Sequence, residues 1–115
     1  MTTATWDVLD VLIHDEVEKA ERKHPHFPVN PTNEDEQLLV VLLEKLRRRY
    51  NHCDEGENCT IRSIQSEEQL EAIVEAKRGN WAKACEETLH LIATAVRAYD
   101  YYLARLEAEG RRKSE

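Results

Sequence analysis

Apolar residues along this chain return every three or four positions, the period of a helix packed on one side, rather than every second position as in a half-buried strand. Trp6, Leu9, Leu12, Ile13, Val17 and Ala20 make the first stripe, with Asp10, Asp15, Glu18 and Lys19 around the rest of the cylinder. They predict a helix near residues 5–23, capped by Thr5. His24-Pro25-His26-Phe27-Pro28-Val29-Asn30-Pro31 must then be extended, because proline lacks a donor and biases the residue before it away from helix. A second helix, near 34–51, follows a cap at Thr32 or Asn33 and carries Leu38, Leu39, Val41, Leu42, Leu43 and Leu46 as a broad apolar face. Its acidic first turn and the Arg47-Arg48-Arg49 run at its end both suit the helix dipole, a simpler reading of the arginines than phosphate binding.

Asn51 to Gln65 is polar and contains Gly56, which predicts a loop with at most a short extended piece at Thr60-Ile61-Arg62. Ser66-Glu67-Glu68-Gln69 fits a capping box, so a third helix is expected near 66–78, with Leu70, Ile73 and Val74 inward. Gly79-Asn80 halts it. Trp81, Cys85, Leu89, Ile92, Ala95, Val96, Tyr99, Leu103 and Leu106 then mark a longer helix near 81–108, folded back on the third as an antiparallel hairpin. The expectation is an all-α, four-helix bundle-like domain over 1–109, with 110–115 as a frayed polar tail.

A length of 115 residues and a mass of 13.4 kDa fit one domain able to bury a core without disulfides. Lys and Arg number 16 against 23 Asp and Glu, so the net charge is −7, the wrong sign for a protein that grips a phosphate backbone. Nucleic acid is not an expected partner. No apolar run approaches the roughly 20 residues that cross a bilayer, and the start of the chain lacks a basic region followed by a hydrophobic one, so the reading is a cytosolic protein with no membrane partner. The three cysteines, Cys53, Cys59 and Cys85, form no CxxC pair, and a zinc loop built from His52, Cys53 and Cys59 would lack the usual four ligands.

The chemistry concentrates between Ser66 and Tyr102. Glu67, Glu68 and Glu71 form an EExxE array whose carboxylates share one helix face, and a cation would relieve their mutual repulsion. After the turn, Glu87 and His90 would look back across the hairpin toward Glu68 and Glu71, and Mg²⁺ accepts such carboxylate oxygens while keeping waters and phosphate oxygens. The same glutamates at a helix start also serve the dipole with no metal at all.

The stretch EEQLEAIVEAKRGNWAKACEETLHLIATAV, about a third of the chain, resembles the MazG-like all-α nucleoside triphosphate pyrophosphohydrolases, which carry EExxE on one helix and ExxD on the next. The resemblance implies Mg²⁺ as cofactor, a nucleoside triphosphate as substrate, and cleavage between its α and β phosphates. It implies Glu68, Glu71 and Glu87 as metal ligands, helped by Glu67; Glu67, not fully engaged by the ion, is the choice for the general base that takes the proton of the attacking water. His90 stands where the family has Asp. Imidazole is a poor Mg²⁺ ligand, so His90 would act as an outer hydrogen-bond partner or mark a degenerate site. Dimers or tetramers are usual in that family.

Two other readings compete. Glu21-x-x-His24 and Glu87-x-x-His90 could serve a di-iron site, but His24 sits before Pro25 at a helix end. Alternatively the wide apolar faces of the second and fourth helices describe a non-catalytic module that forms a homodimer or homotetramer. Trp6, Phe27, Trp81, Tyr99, Tyr101 and Tyr102 are available to stack on a nucleobase or to serve as core and subunit contacts.

Overall fold

The structure, a computed structural model, describes residues 3–50 and 59–114. Among them are four helices and no strand: α1 (Thr3–Lys23), α2 (Glu36–Tyr50), α3 (Ile61–Lys77) and α4 (Trp81–Ser114). The all-α expectation holds. No helix among the described residues is long and apolar enough to cross a membrane. The chain divides into two compact units, Met1–Asn30 and Pro31–Glu115.

In the first unit α1 buries Leu9 and leaves Trp6, Leu12, Ile13 and Val17 exposed. The His24 amide closes the last turn on the Ala20 carbonyl at 2.8 Å, and the proline-spaced segment that follows forms no regular element, as its composition requires.

In the second unit α3 is the middle element, packed against α4 along one side and α2 along another. Leu39, Leu43, Val74 and Ala98 form its buried apolar core. The α2 cap differs from expectation. Asp35 supplies it, with its Oδ1 accepting from the Leu38 amide at 2.8 Å, while Thr32 instead accepts from Glu34 within the preceding turn.

The larger correction concerns α3, which begins at Ile61 rather than near Ser66. Thr60 is its N-cap: the Thr60 hydroxyl accepts from the Ser63 amide at 3.1 Å and the Ser63 hydroxyl accepts from the Thr60 amide at 2.9 Å. This reciprocal pair lies six residues upstream of the Ser66–Gln69 box that the sequence suggests. Thr60 to Gln65, read as loop, is therefore the cap and first turn of the helix; 51–58 lies outside the described residues. α4 likewise outruns its predicted end, staying helical through Gly110 to Ser114, with Lys113 and Glu109 paired at 3.5 Å one turn apart.

The turn between α3 and α4 fixes the hairpin. Gly79 has φ of +75°, and its amide bonds the Ala76 carbonyl at 3.0 Å while the Asn80 amide bonds that of Glu75 at 2.9 Å, the Schellman closure of a helix. Asn80 then starts α4, its Oδ1 accepting from the Lys83 amide at 3.3 Å. No heavy atom lies within 4 Å of where a Gly79 Cβ would stand, so the cost of a side chain there is conformational alone. Gly79→Ala is expected to lower unfolding free energy by about 1 kcal/mol in urea titration, and Gly79→Asn by less. Arg78 adds a tie across the unit by pairing with Glu36 in the first turn of α2.

Candidate functional site

The α3–α4 hairpin brings the two acidic motifs together. Glu71, on α3, comes close enough to Glu87, on α4, for the two carboxyls to act on each other. Glu87 is the buried charged residue of this seam, 8% exposed, and Glu71 beside it is mostly buried. Burial pushes the Glu71 carboxyl above the ordinary carboxylate range, and the Glu87 carboxyl pushes it the same way. Glu67, one turn earlier on the same helix, is raised by burial first and by the Glu71 charge second.

A counter-charge comes from α2. Arg47 places Nε 3.4 Å from Glu67 and Nη2 3.5 Å from Glu71, pulling both carboxyls down but less than burial raises them. Arg47 therefore faces α3 rather than serving only its own helix end, a role the sequence did not reveal because nothing in its spacing relates α2 to α3. Arg48, by contrast, pairs along its own helix with Glu44 at 3.7 Å.

The structure separates the predicted residues into two groups. Glu67, Glu71 and Glu87 form a connected cluster, and His90 joins it by placing Nδ1 3.2 Å from the Glu87 carboxylate. Glu68 turns elsewhere, accepting a hydrogen bond from the Thr94 hydroxyl, which also reaches the His90 carbonyl at 3.2 Å. Among the described residues no three His, Cys, Asp or Glu side chains converge as a preformed metal cage. Cys59 and Cys85 are exposed free thiols, and the remaining ligands of the imagined zinc loop, His52 and Cys53, lie outside the described residues.

Carboxylate oxygens are nonetheless the type of donor that Mg²⁺ takes. That ion takes hard oxygen ligands and keeps several waters, so one or two carboxylates suffice to hold it against substrate phosphates. Glu71 and Glu87, near each other across the seam and mostly buried, present two such carboxylates, with Glu67 one turn away.

No family model matches the chain, and no characterised protein or solved structure with which it was compared does so either. The functional reading therefore rests on the residues themselves.

Proposed function

We propose that the chain is a Mg²⁺-dependent nucleoside triphosphate pyrophosphohydrolase of the MazG-like kind, with the α3–α4 seam as its site. The observation that supports this most is the approach of two mostly buried carboxyls, Glu71 and Glu87, across the α3–α4 seam. Two mostly buried acids held together cost stability unless a proton or a cation lies between them, and that cost favours a role other than solvation.

Glu71 and Glu87 would hold the ion. Bound there, Mg²⁺ supplies neutralisation of phosphoryl oxygens and acidity to a coordinated water. Glu67 is placed to take a proton at its carboxylate, and its upward shift brings that group closer to the working pH of a general base. His90, with Nδ1 3.2 Å from the Glu87 carboxylate, would orient Glu87 as an outer partner. Arg47 balances the cluster's charge, and its half-exposed guanidinium has donors to offer a phosphate. Glu68, engaged with Thr94, is a ligand in this reading only if it exchanges that partner for the ion.

The test is a panel of nucleoside triphosphates assayed for pyrophosphate. Release from at least one of them, dependent on Mg²⁺, is expected; no release from any would overturn the proposal.

A second reading, a homo-oligomeric interaction module, is favoured by one surface. Leu89, Ile92, Tyr99 and Leu106 are all exposed, and with Val96 and Leu103 they continue at alternating spacings of three and four along α4, the seam of a helix pair. Self-association is compatible with catalysis. Light scattering is expected to give a multiple of 13.4 kDa at micromolar concentration, and the monomer mass throughout that range would contradict it.

A further inference from the structure

Along the same α3–α4 seam the chain changes character. On α3 the positions Ile61, Ile64, Glu68 and Glu71 follow spacings of three, four and three, so the stripe is apolar in its first half and acidic in its second. On α4 Glu87, Thr94 and Tyr101 are seven residues apart and share a face, each about 10.5 Å beyond the last at a rise of ~1.5 Å per residue. The acidic half of the seam lies toward the Gly79 turn, and the apolar half lies toward the start of α3.

That apolar half carries an open pocket of about 320 Å³, lined by Ile61, Ile64, Thr94, Arg97, Ala98 and Tyr101. Its volume lies at the lower end of the range for small-molecule sites, roughly 300–1,000 Å³. Its chemistry is mixed in a telling way. Ile61, Ile64 and Ala98 supply apolar walls, while Arg97 has no ion pair and the Tyr101 hydroxyl no hydrogen bond among the described residues, in a chain with an excess of seven acids. Tyr101 is 57% exposed and its ring is tilted 58° against that of Tyr102 at 5.9 Å, which leaves a face open. Thr94 links the two halves, since it lines the cavity and bonds Glu68.

We propose that this cavity takes the nucleobase and sugar of the nucleotide whose phosphates meet the carboxylate cluster. The inference rests on the catalytic reading above and adds to it the place and chemistry of substrate recognition. A nucleotide has the same two-part character as the seam: a planar ring that stacks on an aromatic side chain, and a polyphosphate that needs a cation among acids. Tyr101 provides the stacking face. Arg97, which has five N–H donors and no acceptor, bonds ring carbonyl or sugar oxygens.

The test uses adenosine, guanosine, cytidine and uridine without metal, titrated into amide-resolved NMR samples, with inorganic triphosphate plus Mg²⁺ as the contrasting probe. At least one nucleoside should shift the amides of Ile64, Ala98 and Tyr101 saturably, while triphosphate shifts those around Glu67 and Glu71. Tyr101→Ala, at an exposed position, should weaken nucleoside binding about tenfold or more, and Tyr101→Phe far less. If triphosphate binds and is hydrolysed but no nucleoside reaches the cavity, or if Tyr101→Ala binds nucleosides as well as the wild type, this inference fails and the catalytic reading stands. If nucleosides bind as described but no nucleotide is hydrolysed, the cavity stands as a nucleoside site and the catalytic reading fails.

Discussion

Glu71→Gln is expected to reduce Mg²⁺-dependent pyrophosphate release by at least about 100-fold, since loss of even an outer partner of a metal site costs about 10–100-fold. Its effect on folding should be small or favourable at neutral pH. The amide keeps the shape, accepts from Arg47, and replaces a carboxyl that burial and the neighbouring Glu87 both disfavour as an anion. The pH dependence gives the sign. A carboxyl whose folded-state pKa lies above its ordinary value of 4.5 binds its proton more tightly when folded, so its stabilising effect is complete below that value and is lost as pH rises through the folded value. Wild-type stability should therefore fall as pH climbs from about 4 through the raised Glu71 range, and the Glu71→Gln protein should fall less. Thermal unfolding of both proteins across that range checks it; a variant that loses stability at neutral pH would contradict the account.

Leu39→Ala should have the largest effect on folding. Leu39 is fully buried at 0% exposure on the helix that packs against α3, and removing a leucine side chain from such a site costs about 2–5 kcal/mol through lost transfer energy and the cavity left behind. Because α2 carries Arg47, the same substitution should also loosen the counter-charge on Glu67 and Glu71. Exposed Leu38, on the same helix, is the control: Leu38→Ala should cost well under half as much in the same denaturant titration. Equal losses at the two positions would mean that α2 is not seated on α3 through Leu39.

Much of this arrangement is legible in the sequence, for identifiable reasons. Gly79-Asn80 carries both a C-terminal and an N-terminal helix signal, so the hairpin, and with it the approach of Glu71 to Glu87, follows from local chemistry. The start of α3 was not legible because glutamates occupy the inward positions 68 and 71, interrupting the apolar period that would have extended the helix back through Ile64 to Ile61. Ser63 as the reciprocal capping partner is also weaker as a signal than the glutamate or glutamine usual there. The division of the acidic array between Glu68, held by Thr94, and Glu67–Glu71, held by Arg47, depends on contacts with two other helices. Spacing within one helix carries no information about those.

The central claim, that the Glu71–Glu87 pair is kept for a cation, is tested most directly by calorimetric titration of Mg²⁺ in two buffers of different ionisation enthalpy. The account predicts saturable binding by the wild type with release of a proton from Glu71, whose carboxyl burial holds above the ordinary range, and loss of both in Glu71→Gln. Absence of saturable heat at millimolar Mg²⁺, with Glu71→Gln merely more stable than the wild type, would contradict it and leave the acids as a charged face of a helical interaction module.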